Sequence, residues 1–76
     1  MKHDFIAGDI FVVKDLCGVW GLGQHGQYAG DAEIGTVIMF IENEIKTLFF
    51  TICFLDGKCR TVAVRDLKDK CELVCR

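Results

Sequence analysis

The residues that could carry catalytic chemistry are five cysteines and two histidines, and the chain has no serine. Cys17 and His25 are the thiol and imidazole to consider as a nucleophile and its base. Such a dyad needs a third group that orients the histidine, and none is evident beside this pair. No glycine-rich phosphate loop precedes a helix either. We therefore predict that the protein is not an enzyme and has no catalytic residues.

Cysteine and histidine are also the usual ligands of zinc, and a structural zinc site needs four of them. The candidates would be Cys17, His25, Cys71 and Cys75. Zinc ribbons have two pairs of closely spaced cysteines, whereas here Cys71 and Cys75 form one such pair and the rest are scattered. The sequence therefore predicts no metal site and no cofactor.

The cysteines and the apolar runs indicate the cellular location that we expect for the protein. An odd number of cysteines and the absence of an export signal favour reduced thiols in a cytoplasmic protein. The apolar run at residues 36–41 is far shorter than the roughly 20 residues that a membrane-spanning helix requires, and no other run approaches that length. We expect no membrane contact.

Aromatic and acidic residues gather between positions 16 and 35, where six of the eight glycines also lie. No helical or alternating period is found there, so the sequence predicts one long loop, and long loops in small domains tend to be functional. Aromatic side chains are frequent hot spots of binding interfaces. The alternative is that Trp20 and Tyr28 fold back as a lid over a barrel end. The residues of this loop that we expect to contact a partner are Trp20, His25, Tyr28, Asp31 and Glu33.

The elements that must position this loop are strands, because the remaining sequence is rich in β-branched and aromatic residues. We predict one all-β domain over residues 1–76. A short helical turn at residues 66–70 precedes the last strand. The five predicted strands are 10–14, 36–41, 46–55, 58–65 and 72–74.

Asp56-Gly57 predicts a hairpin between the third and fourth strands. We favour a three-residue loop, 55–57, with a glycine bulge, which places Cys53 opposite Cys59 on the outer face. This register also determines which alternating side chains fill the interior. The predicted core residues are Val37, Met39, Ile41, Phe50, Ile52, Phe54, Val62 and Val64.

The other side chains of the same strands then point outward. Phe40 and Phe49 are the predicted centre of a second contact surface, since large apolar patches on a soluble monomer usually mark interfaces. The alternative is that the long loop and the terminal segments cover this patch. Such a patch would also suit pairing of the chain with itself as a homodimer.

The charge distribution bears on nucleic acid as a partner. The net charge is −2, and residues 1–38 hold two basic against five acidic residues. Most nucleic-acid binders have a basic stripe, which this half lacks. A local patch of Lys58, Arg60 and Arg65 keeps nucleic acid as the alternative partner.

Several short motifs resemble those of SH3-like barrels over residues 8–74. They are Gly8-Asp9 before the first strand, Gly35-Thr36-Val37 at the second, the Asp56-Gly57 hairpin, and Asp66-Leu67 before the last strand. The resemblance implies a five-stranded SH3-like barrel with a long loop between strands 1 and 2. The alanine-leucine-tyrosine-aspartate-tyrosine stretch of peptide-binding SH3 domains is missing, which argues against proline-rich ligands.

Within that group, Trp20-Gly21, Gln24-His25-Gly26 and Gly35-Thr36 resemble the mind-bomb type, a protein-interaction module. The KOW type, which is also a short barrel, contacts RNA or proteins through its loops. A small freestanding chain is similar to proteins of phages and mobile elements. The resemblance implies an adaptor, accessory factor or inhibitor that works by protein contact, with a KOW-like nucleic-acid binder or a structural homo-oligomer as alternatives.

Overall fold

The computed structural model describes residues 5–22, 26–44 and 49–75. These residues form one antiparallel sheet with strand order β3-β2-β6-β5-β4-β1-β7, and one short helix. The protein is therefore all-β, as predicted. In chain order the elements are β1 (Ile10–Val13), β2 (Cys17–Trp20), β3 (Tyr28–Ala32), β4 (Val37–Asn43), β5 (Phe50–Leu55), β6 (Lys58–Ala63), α1 (Val64–Asp69) and β7 (Cys71–Cys75).

The prediction of a closed five-stranded barrel is wrong, because the sheet is open and has seven strands. The two strands that the prediction missed, β2 and β3, lie inside the predicted loop. Both contain glycine, and the register shifts between Val19 and Trp20, opposite Gly30 and Tyr28, as in a β-bulge. Gly30 has a φ of +109°, which glycine adopts readily. A bulge and small residues remove the alternating pattern by which strands are recognised.

The hairpin between β5 and β6 has a two-residue loop, because Leu55 pairs directly with Lys58. Asp56 and Gly57 both have positive φ, 53° and 77°, as a type I′ turn requires. Aspartate tolerates this conformation better than most residues do. The predicted three-residue loop is therefore wrong.

The shorter loop changes every pairing along this hairpin. Cys53 pairs with Arg60, and Phe54 pairs with Cys59, so the predicted Cys53–Cys59 pair does not form. Phe50 pairs with Ala63 on the side of the sheet away from the core. A shift of one residue in a strand register moves each side chain to the opposite face.

The core accordingly contains the side chains that were expected to point outward. Both alternating sets of β4 and β5 are apolar, so the pattern alone does not determine which face is buried. Of the predicted core residues, Val62 is buried, whereas Val37 and Phe54 are exposed. The buried core residues are Phe11, Val13, Cys17, Val19, Ala32, Ile38, Phe40, Cys53, Leu55, Val62 and Leu67.

The predicted helical turn and last strand are present as α1 and β7. Leu67 of α1 is buried and joins the core, so the helix covers part of the inner face of the sheet. In the described residues, no helix is long and apolar enough to cross a membrane.

Candidate functional site

The side of the sheet opposite the core has an apolar surface of its own, which we call the outer face. Directly paired residues of neighbouring strands project to the same side of a sheet. Ile10 pairs with Met39, Met39 with Phe54, and Phe54 with Cys59, so one apolar row crosses four strands. We define the outer face by Ile10, Val12, Trp20, Tyr28, Val37, Met39, Phe50, Ile52 and Phe54.

A second row joins these residues to an aromatic cluster. Ile52 pairs with Thr61, Thr61 with Trp20, and Trp20 with Tyr28. The ring of Trp20 meets Tyr28 edge to face with centroids 5.5 Å apart, and it meets Phe50 at 6.2 Å. Edge-to-face contacts are a favoured aromatic geometry. The cluster therefore continues the outer face across β2 and β3.

Tyr28 forms a side-chain hydrogen bond with an acidic residue on the same strand. Its hydroxyl donates a hydrogen bond to Oδ1 of Asp31. This hydrogen bond, with the negative charge of the carboxylate, raises the pKa of Tyr28. Both residues are exposed, so the phenol and the carboxylate are accessible beside the indole of Trp20.

Much of the outer face is accessible to solvent. Phe54 is 42% exposed, Val37 55% and Tyr28 56%. A sheet with two apolar faces normally buries both, since each layer of a domain packs on another. Contiguous exposed apolar surface of this kind is typical of an interface.

Acidic residues border the outer face on three sides. Asp31 pairs with Gly18 on β2, Glu42 pairs with Ile52, and Glu72 pairs with Val12, so each projects on the outer side of the sheet. Glu72 also forms an exposed ion pair with Lys14, with Nζ and Oε1 3.3 Å apart. The surface thus has an apolar centre and a mainly acidic rim.

Several of the sequence-predicted contact residues lie on or near this surface. Trp20, Tyr28 and Asp31 come together, and they lie on paired strands rather than on the predicted loop. Glu33 is exposed just after β3. Phe49 is 76% exposed directly before β5. His25 lies outside the described residues.

The prediction that Phe40 points outward is wrong. Phe40 is 3% exposed, and its ring packs edge on against Phe5 with centroids 5.5 Å apart. The physical reason is the inverted register of β4 and β5, which buries Phe40 beside Cys53. Phe54 and Met39 are the residues that the sequence reasoning missed. A two-residue Asp56-Gly57 turn is the signal that would have identified them.

The basic residues proposed as a local patch for nucleic-acid contact lie on two neighbouring elements. Lys58 and Arg60 lie on β6, and Arg65 lies on α1. Arg60 lines a depression together with Asp31 and Asp56, so two acidic residues lie near this basic residue. Acidic residues beside a basic one weaken its attraction for a phosphate backbone.

The thiols are distributed over core and surface. Cys17 and Cys53 are buried, Cys71 is half-buried, and Cys59 and Cys75 are exposed. Over the three described ranges, no cluster of three or more His, Cys, Asp or Glu side chains has the arrangement of a metal site. His25 lies outside the described residues, so the structure does not describe the Cys17–His25 dyad.

Comparisons with protein-family models, with curated proteins and with solved structures found no match to this chain. The resemblance to SH3-like barrels therefore stays a prediction. The fold itself defines the class as a small all-β protein with an open seven-stranded sheet.

Proposed function

We propose that the protein is a non-enzymatic binding module that acts by protein–protein contact through the outer face. The observation that carries this proposal is the continuous apolar surface around Phe54, Met39 and Trp20, with Phe54 42% exposed. Removal of such surface from water favours association by about 25 cal/mol per Å² of apolar area, before the entropy lost on binding is subtracted. An adaptor, an accessory factor or an inhibitor of a larger assembly would use a surface of this kind.

The partner should be a folded protein with an apolar centre and a basic rim. Interfaces commonly combine an apolar core with a polar rim, and opposite charges on the two rims accelerate association. Asp31, Glu42 and Glu72 supply the acidic rim on this chain. Two copies placed face to face would bring acidic rims together, which is unfavourable. The charges therefore favour a different protein over a second copy.

Site-specific photo-crosslinking in the native host tests the proposal. A benzophenone amino acid replaces Phe54 in one variant and the exposed Lys68 of α1 in a matched control. The proposal predicts one protein adduct at position 54 that is weak or missing at position 68. The captured protein should also associate with this chain more slowly at high salt, because salt screens the charges of the two rims.

The other outcomes of this experiment contradict the proposal in distinct ways. An adduct with a second copy of the chain indicates a homo-oligomer instead. An adduct with nucleic acid supports the basic patch at Lys58 and Arg60. Equal labelling at positions 54 and 68, or no adduct at either, shows that the outer face is not a binding surface.

A further inference from the structure

The aromatic cluster of Trp20, Tyr28 and Phe50 has a carboxylate beside it. Gly18 lies beneath the cluster, since a Cβ atom there would be 3.5 Å from Cε1 of Tyr28 and closer still to the indole of Trp20. Asp31 is the residue directly opposite Gly18 on the neighbouring strand. Its Oδ1 accepts the hydrogen bond from the hydroxyl of Tyr28. The carboxylate therefore lies at the margin of the two rings.

The rings of the cluster are inclined to one another rather than stacked. The planes of Trp20 and Tyr28 meet at 64°, and those of Trp20 and Phe50 meet at 73°. Inclined rings cover less of each other's faces than parallel rings do. Tyr28 is 56% exposed, and Trp20 and Phe50 are half-buried, so part of this aromatic surface is open to solvent. A ring face carries partial negative charge and attracts a cation that lies within about 6 Å of its centroid.

The negative charge of Asp31 is available to a group from outside the chain. Arg60 lines a depression together with Asp31, but within residues 5–22, 26–44 and 49–75 no ion pair joins the two. In the same ranges the hydrogen bond from Tyr28 engages Oδ1 of Asp31, and none engages Oδ2. Asp31 is exposed, so a charged group of another molecule can approach Oδ2 beside the rings.

We propose that the aromatic cluster and Asp31 form a recognition site for a cationic side chain, lysine or arginine, of the protein partner. The ammonium or guanidinium group lies against the rings of Trp20 and Tyr28 and pairs with Oδ2 of Asp31. Aromatic rings bind cations through the attraction between the ring quadrupole and the charge. This inference rests on the proposed function and deepens it, because it names the group of the partner that meets this part of the outer face.

The combination of rings and carboxylate favours a cation over the other kinds of side chain. A neutral apolar group would contact the rings but would remove water from the carboxylate of Asp31 without replacing it, which costs free energy. An anionic group would be repelled by the same carboxylate. A cation interacts favourably with both the rings and the carboxylate, and it matches the basic rim expected of the partner.

The test uses the full chain, labelled with ¹⁵N, and three small probes in place of the partner. The probes are n-butylammonium, which carries the charged group of lysine, n-butylguanidinium, which carries that of arginine, and n-butanol as their neutral counterpart. Each is titrated at pH 7 and constant ionic strength while amide signals are followed by NMR. We expect saturable shifts of the Gly18 and Asp31 signals with the two cations and none with n-butanol. The tighter of the two cations identifies the preferred side chain.

Two variants separate the carboxylate from the ring. Asp31→Asn removes the charge and keeps an oxygen that accepts from Tyr28, so it should weaken binding of the cations about threefold or more. Tyr28→Leu removes an exposed ring and should weaken binding to a similar degree, about threefold. Glu33→Gln is the matched control, because it removes the same charge from an exposed position just after β3. It should bind the cations as the wild type does.

Three results would overturn the inference. The first is a saturable shift with n-butanol as large as that with the cations, which would indicate apolar contact alone. The second is wild-type affinity for the cations in Asp31→Asn or in Tyr28→Leu. The third is the lack of a saturable shift with either cation. A chain that binds the cations but gives no adduct at position 54 would contradict the proposed function alone, whereas an adduct without cation binding would contradict this inference alone.

Discussion

The indole ring of Trp20 lies over Gly18, two residues earlier on the same strand. A Cβ atom on Gly18 would be 2.7 Å from Cη2 and 2.9 Å from Cζ3 of the ring. Gly18 is therefore required for the space that it leaves, not for an unusual backbone angle. That space lets the ring lie on the outer face, where its edges meet Tyr28 and Phe50.

Gly18→Ala should displace the indole and disturb the aromatic cluster. Overpacking of this kind costs roughly 1–3 kcal/mol of unfolding free energy. Trp20 is the single tryptophan of the chain, so its fluorescence emission reports the displacement directly, as a shift to longer wavelength. Gly21→Ala is the matched control, because the nearest atom to a Cβ there is 3.8 Å away. Unchanged emission in Gly18→Ala would show that the ring does not rest on Gly18.

The type I′ turn at Asp56-Gly57 should be sensitive to residue type. Gly57→Ala places an L side chain at positive φ and should cost about 1–2 kcal/mol, measured by urea unfolding. Asp56→Asn should be close to neutral, since asparagine also adopts this conformation. If Gly57→Ala unfolds at the wild-type urea concentration, the two-residue loop is incorrect.

The single tyrosine makes the Tyr28–Asp31 hydrogen bond measurable. The pKa of Tyr28 is raised by this bond, so the folded protein keeps its phenol protonated at a higher pH than the unfolded chain does. The bond's stabilising effect is therefore present below the ordinary tyrosine pKa and is lost as the pH rises through the folded value. Asp31→Asn should lower the pH at which tyrosinate absorbance appears. Glu33→Gln should leave it unchanged, and equal midpoints for wild type and Asp31→Asn would refute the contact.

Alkylation rates should separate the five thiols. Burial raises the pKa of Cys53 to about 11, so its thiolate is scarce at neutral pH. Cys59 and Cys75 are exposed and should react with iodoacetamide first, and Cys53 should react last. Time-resolved peptide mass spectrometry gives the order. Early reaction of Cys53 in the folded protein would contradict the burial of that side of β5.

The sequence predicted the all-β class, the positions of β1, β4 and β6, the hairpin at Asp56-Gly57 and the helical turn before β7. It did not predict β2 and β3, because Gly18 and Gly30 interrupt their strand patterns. An apolar outer surface was also predicted around Phe40 and Phe49, of which Phe40 is buried and Phe49 is exposed.

That error has one physical cause. β4 and β5 are apolar on both sides, so the length of a single turn determines whether Phe40 or Phe54 is buried. The nearness of Trp20, Tyr28 and Asp31 was anticipated from their closeness in sequence. Their actual contact depends on the pairing of β2 with β3, which residue spacing alone does not specify.

The central claim is that the outer face binds a protein and is not needed to fill the core. Phe54→Lys should change the unfolding free energy by no more than about 1 kcal/mol, because the side chain is 42% exposed. Ile34→Lys is the matched control, since Ile34 is 66% exposed in the turn after β3. Phe40→Lys should prevent folding, because it places a charge in the core.

The most direct measurement is the Kd with which the purified cross-linked partner binds the wild type, Phe54→Lys and Ile34→Lys. The fluorescence emission of Trp20 reports the binding. We predict that Phe54→Lys weakens binding about tenfold or more, while Ile34→Lys binds as the wild type does. Wild-type affinity in a folded Phe54→Lys protein would contradict the account.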